Sequence, residues 1–168
     1  MKTITLCTPD EYTQLPHHTV HAVKAIIRRG QEIGLIHVAS ENAYDFPGGG
    51  MEAGETITQA LTRELKEEAG ATLKPATVAP FHSAKYTLIY KEKATNTIIE
   101  RHFTYYFCEI EETLTTPNLT QEEIDTGQRF VCITIPEAIT TNEKHITNQP
   151  HWVENPTDVL RLLRDMGR

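Results

Sequence analysis

Read as a helix, residues Thr56 to Ala69 carry acids on the side that should be buried. An advance of about 100° per residue puts Ile57, Ala60, Leu61 and Leu65 in one apolar stripe. Thr58, Gln59, Thr62, Arg63 and Lys66 then form the opposite, solvated face. Glu64 and Glu68 fall within the stripe, and Glu67 lies at its edge. Carboxylates turned toward an interior repel one another and lose hydration, at several kcal/mol per ion unless a cation compensates them. Arg63 is the nearest cation in sequence and neutralises only one of them. The economical answer is a divalent metal, and oxygen-only ligands without His or Cys point to Mg²⁺ or Mn²⁺.

The helix is marked by independent signals. Thr56 followed by Gln59 matches a capping box, and Gly70 is a natural C-terminal stop. Immediately upstream, Phe46-Pro47-Gly48-Gly49-Gly50 steps from an apolar residue into a glycine-rich loop, whose bare backbone can approach a ligand closely. Backbone groups beside a carboxylate cluster suit a metal-bound phosphate chain.

Gly49, Glu55, Arg63, Glu64, Leu65, Glu67, Glu68 and Gly70 together resemble the Nudix box: a Gly, a Glu six later, an Arg-Glu pair eight after that, an aliphatic, a Glu-Glu pair and a Gly. One position departs, because Ala71 stands where the family usually has a bulky aliphatic; Leu73 can fill that space. The strong resemblance covers residues 44 to 71. It implies an α/β fold, a mixed β-sheet sandwiched between α-helices. It also implies a hydrolase that cleaves a diphosphate linkage in a nucleoside triphosphate or other nucleoside diphosphate derivative, by water attack on phosphorus. By the same resemblance, Glu64, Glu67 and Glu68 are the metal-binding carboxylates, the Gly48 carbonyl is a backbone ligand, and Glu55 and Arg63 fix the loop against the helix. The cofactor so implied is Mg²⁺, with Mn²⁺ the alternative. Bound metal neutralises the polyanion and lowers the pKa of a bound water.

At 168 residues the chain is expected to be one Nudix domain, residues 1–168, able to bury a real core. No apolar run is long enough for a membrane span, and Met-Lys-Thr-Ile-Thr-Leu-Cys-Thr-Pro lacks a signal-peptide core, so the expected location is cytoplasmic. Cys7, Cys108 and Cys132 are odd in number and lack zinc spacing, and read as reduced thiols, the latter two in strands. A formal charge of −7 argues against an extended nucleic-acid surface, though not against a nucleotide substrate. The oligomeric state is not readable, and a homodimer stays open.

Along the chain, Val20–Arg28 and Glu32–Ala39 read as a hairpin about Arg29-Gly30-Gln31. One or two strands are expected in Ala76–Tyr90, a polar turn over Lys91–Asn96, and a strand over Thr97–Ile110. Glu111–Gly127 reads as an acidic, Thr-rich loop and Phe130–Ile135 as a strand. A short helix opens at Pro136 and a last one runs over Pro156–Met166, with Val159, Leu160, Leu162 and Leu163 buried and Trp152 anchoring it.

Weaker candidates each have a plain rival. Glu122 and Glu123 lie where many Nudix enzymes place an extra metal ligand or base, and a solvated acidic loop explains them equally well. Phe103 and Phe107 are read as core, with one face of the Phe103–Phe107 strand free to stack on a base. His17 and His18 are read as surface, and His102 as either a phosphate contact or an exposed strand residue. Lys24, Arg28 and Lys85 could reach phosphates, although strand-end basic residues are more often simply solvated. The proline found after the box in ADP-ribose enzymes of the family is missing around Tyr86 and Thr87, which favours a MutT-like nucleoside triphosphate pyrophosphatase. The alternatives are an ADP-ribose or dinucleoside polyphosphate hydrolase, or a non-catalytic nucleotide-sensing module of the same fold.

Overall fold

The computed structural model describes residues 2–148 and 154–167. Trp152 lies outside them. Among the described residues seven strands form one mixed sheet: β1 (Lys2–Thr5), β2 (His17–Arg29), β3 (Glu32–Val38), β4 (Ala43–Asp45), β5 (Ala79–Glu92), β6 (Thr97–Phe107) and β7 (Gln128–Thr134). The order is β1-β5-β6-β2-β3-β4, with β7 on the other side of β3. Among the described residues five α-helices accompany it: α1 (Pro9–Gln14), α2 (Ile57–Ala69), α3 (Gln121–Asp125), α4 (Ile135–Asn148) and α5 (Glu154–Met166).

Strand β2 organises the molecule. Its first part, His17 to Ile26, pairs in parallel with β6, whereas Ile27–Arg29 turns through Gly30 (φ 63°) to pair antiparallel with β3. Side chains alternate across a strand. Val23, Ala25 and Ile27 therefore join Ala60, Leu61, Leu65 and Ala69 of α2 in one core layer. Ile26 faces the other way, into a layer with Ile33, Leu35, Phe46 and Tyr105 that α4 and α5 cover through Ile139, Leu160 and Leu163. The expected sheet between helices is present. Ala71 and Leu73 both sit in the α2 layer, where the signature departs from its usual bulky residue.

Where β3 leaves β2, the glycine-rich loop takes its place. The Ala25 and Val23 amides donate to the Pro47 and Gly49 carbonyls at 2.8 and 3.0 Å, and the Met51 amide donates to the His21 carbonyl at 2.8 Å. The loop is thus tied to the free edge of β2 like a short extra strand. A Cβ on Gly48 (φ 125°) would lie 2.2 Å from the Val23 carbonyl oxygen, so only glycine allows this approach.

Several sequence expectations need correction. β1, α1 and β4 carry too few apolar residues to declare themselves. The segment from Glu111 to Gly127 is not all loop: a capping box from Thr120 to Glu123 starts α3 within it. The helix at Pro136 is not short but runs 14 residues. Ile57 is 36% exposed, because it opens α2 at a surface pocket with Val20, Met51 and Tyr106. Leu162 is also 36% exposed, on the flank of the α5 stripe formed by Val159, Leu160 and Leu163. Cys132 lies in β7, but Cys108 falls just past β6, buried.

Candidate active site

Helix α2 begins and ends as its sequence requires. Thr56 accepts the Gln59 amide while Gln59 accepts the Thr56 amide, and Gly70 closes the helix in the left-handed conformation (φ 60°). Between these caps Arg63 works as a clamp. Its Nε and Nη2 donate to the two Glu55 oxygens at 2.8 and 2.9 Å, Nη2 also donates to the Gly50 carbonyl at 2.9 Å, and Nη1 donates to Glu64 Oε1 at 2.6 Å. One guanidinium thereby binds the loop, the approach to the helix and an acid of the helix itself. The Arg63 hydrogen bonds hold the Glu55 carboxyl down to about 2, helped by the Glu52 amide at 2.8 Å.

The acids differ in setting. Glu64 is buried, and burial pushes its carboxyl up while Arg63 opposes the shift. Glu68 accepts the Gly48 amide at 2.6 Å, and desolvation at the cleft floor, against the pull of Lys24 and that amide, pushes it up to about 8. Glu67 is more open, its carboxylate 3.5 Å from Arg63 Nη1. Glu64 and Glu68 line a cleft of about 580 Å³ together with Gly48, Gly49 and Gly50. Glu122 and Glu123 of α3 line the same cleft from the other side; Glu123 also caps its own helix, and Glu122 is exposed. Glu67 is not part of that lining.

As the side chains stand, no three metal-ligating groups among the described residues converge as a metal site. Arg63 occupies Glu64, and the Gly48 amide occupies Glu68. The residues nonetheless fit a hard divalent cation. The acids are oxygen donors throughout, and a Cβ on Gly49 would sit 2.6 Å from Glu64 Oε1, so the glycine leaves room beside that carboxylate.

Lys24 is the cation at the back of the cleft. It is 8% exposed and donates to Asp45 Oδ2 at 2.8 Å and to the Phe46 carbonyl at 2.9 Å. Burial works against its charge, but Asp45 and Glu68 outweigh this and raise its pKa. Its neighbour Arg101 also lines the cleft. Sequence reasoning missed Asp45 and Arg101. The available signal was an inward lysine between Ala22 and Ile26, which demands a nearby acid. The other basic candidates lie elsewhere: Arg28 donates to the Leu163 carbonyl at 3.2 Å, and Lys85 is exposed and outside the cleft lining. His102 pairs with Thr87 Oγ1 at 2.9 Å and stacks on His21, also outside that lining. His17 and His18 are exposed.

Comparison with known proteins agrees with this architecture. The NUDIX domain model matches residues 18–153, and the chain belongs to that family. It is 35% identical over 94 residues to the 8-oxo-dGTP diphosphatase of Escherichia coli, covering 54% of this chain and 64% of that one. Over 53 residues it is 49% identical to the RNA pyrophosphohydrolase of Halorhodospira halophila, which spans 32% of this chain and 28% of that one. Its fold matches a solved NUDIX hydrolase from Nitrosomonas europaea with a TM-score of 0.59, at 17% identity over 90% of this chain and 92% of that one. Among the described residues, no helix is long and apolar enough to cross a membrane.

Proposed function

We propose that the chain is one Nudix domain that hydrolyses a diphosphate linkage in a nucleoside triphosphate or a related nucleotide, using Mg²⁺ or Mn²⁺. The observation that carries this reading is the Arg63 clamp, which presents Glu64 and Glu68 beneath a glycine loop tied to β2. Glu64, Glu67, Glu68 and the Gly48 carbonyl would hold the cation, which supplies charge neutralisation and a more acidic water. Glu55 and Arg63 keep loop and helix in register. Glu68 is aimed by the Gly48 amide. Glu122 or Glu123, which line the cleft from the other side, would accept a proton from the attacking water or add a ligand. Lys24 and Arg101 supply positive charge for phosphate oxygens at the inner end. The match to a diphosphatase over about half of this chain supports a nucleoside triphosphate as the substrate class.

The test is release of phosphate or pyrophosphate from a panel of nucleoside triphosphates, ADP-ribose and dinucleoside polyphosphates with Mg²⁺. Turnover is expected on at least one of them. Silence on the whole panel, with a folded protein and metal present, refutes the reading.

A further inference from the structure

Edge strands invite pairing with another chain unless they are short, charged or covered. β4 has three residues, and β1 has four and carries Lys2, which reaches Glu154 and Asp158 of α5 at 3.1 and 2.8 Å. β7 has no such protection. Its seven residues, Gln-Arg-Phe-Val-Cys-Ile-Thr, contain neither proline nor lysine and pair with β3 in unbroken register from Gln128 to Thr134. On its other side, no backbone hydrogen bond from the described residues reaches it. Phe130, Val131, Cys132 and Ile133 are each only half-buried.

A groove of about 380 Å³ runs beside this edge, lined by Ile133 of the strand and by Pro136, Glu137, Thr140 and Thr141 of α4. Glu137 is exposed and accepts the Thr134 hydroxyl, and no cation pairs with it among the described residues. Arg129, four positions before Ile133, is also exposed and has no acidic partner among them. Side chains alternate across a strand, so Arg129, Val131 and Ile133 share the face that carries the groove. One edge therefore presents bare backbone, an unpaired base and an unpaired acid.

We infer that a second copy of this chain adds its β7 to this edge, antiparallel, about a two-fold axis at Val131. An axis normal to the sheet keeps each face beside its like, and only this centre matches the whole strand, Gln128 with Thr134, Arg129 with Ile133 and Phe130 with Cys132. The strands then exchange about six to eight hydrogen bonds, two at every second residue. Arg129 of one copy stands opposite Ile133 of the other, with Cβ atoms about 5 Å apart. Its stem lies along Ile133 and Pro136 in the groove, and its guanidinium meets Glu137. Symmetry supplies that pair twice. An unrelated extended peptide could satisfy the backbone, but only a second copy brings both an acid to Arg129 and a base to Glu137.

Sedimentation equilibrium across about 1–300 μM, which spans the affinities of small interfaces, should show a monomer–dimer equilibrium in the native chain. Arg129→Glu and Glu137→Arg change exposed side chains, and each sets like charges together twice per dimer. Either one should raise the dimer Kd about tenfold or more. The two combined restore opposite signs and should return Kd to within about threefold of the native value. Val131→Cys tests the register. Cα atoms about 4.5–5.5 Å apart across the axis lie within disulfide range, so oxidation should link two copies covalently. The native chain, whose Cys132 stands opposite Phe130 rather than itself, should link far less. A monomer throughout the range overturns the proposal. So does a dimer whose Kd ignores both charge reversals and whose Val131→Cys form stays unlinked. Should a reversal fail to fold, the Val131→Cys link decides alone, its formation supporting the interface and its absence overturning it.

Discussion

Arg63 and Glu55 meet with two parallel hydrogen bonds of 2.8 and 2.9 Å, although eight positions apart and on opposite sides of a helix start. A fork-to-fork pair fixes orientation as well as distance, which a lysine cannot reproduce. Arg63→Lys should therefore lower kcat/KM by roughly 10–100-fold, the usual effect of losing a group that orients metal ligands, with little change in overall fold. Steady-state kinetics beside circular dichroism checks this, and near-native kinetics would remove Arg63 from its positioning role.

Acid should expose the same pair. Because the Glu55 carboxyl is held down to about 2 from 4.5, its stabilising contribution is present above about pH 4.5 and lost as pH falls through 2. Melting temperatures between pH 6 and 2 should fall less steeply in Glu55→Gln than in the native chain, once both are referenced to pH 6.

Glu68 has the opposite sign. Its carboxyl is raised to about 8, so the metal-free protein should lose stability as pH rises from 4.5 through 8, as a buried group is forced to ionise. Glu68→Gln should flatten that slope and melt no lower than the native chain at pH 8 without metal. The same variant should lose roughly 10²–10³ in rate, because the charge facing the phosphates is gone. Full activity in Glu68→Gln would defeat the proposed site.

Metal should act on stability by mass action. Mg²⁺ at a hundred times its Kd adds about 2.7 kcal/mol, or roughly 5–10 °C for a chain of this size. Chelation should abolish both that rise and turnover. A melt indifferent to Mg²⁺ counts against a site that binds metal in the folded state.

Two neighbouring glycines should fail differently. Gly48→Ala forces a Cβ to 2.2 Å from the Val23 carbonyl at φ 125°, so it should destabilise the fold by about 1–3 kcal/mol or more. Gly49→Ala meets the Glu64 carboxylate at 2.6 Å, a side chain that can move, and should cost activity more than stability. Denaturant melts paired with kinetics separate the two outcomes.

The readable parts of this molecule were those with local rules. Helix α2 announced itself through its caps and its misplaced acids, and the Arg63–Glu55 pair was implied by the resemblance to the Nudix box. The hairpin about Gly30 followed from two β-rich runs. What stayed hidden depends on distant pairings. Nothing near Lys24 in sequence names Asp45 as its partner, and Arg101 reaches the same cleft only because β6 lies beside β2. Edge strand β1, four residues long, and β4, three, are too short for periodicity to register. Ile57 obeyed the helical period but lay in the first turn, where the apolar stripe overhangs the surface.

The attachment of the glycine loop to β2 bears on transplantation. Residues 48–70 look like a portable cassette, yet the loop's backbone groups are satisfied by Val23, Ala25 and His21 rather than by one another. Grafted onto a scaffold without a strand edge left bare over the same stretch, the cassette would present unpaired amides and carbonyls and lose its shape. A recipient has to be chosen for an early departure of one strand from its neighbour, and the acids can only be added after that.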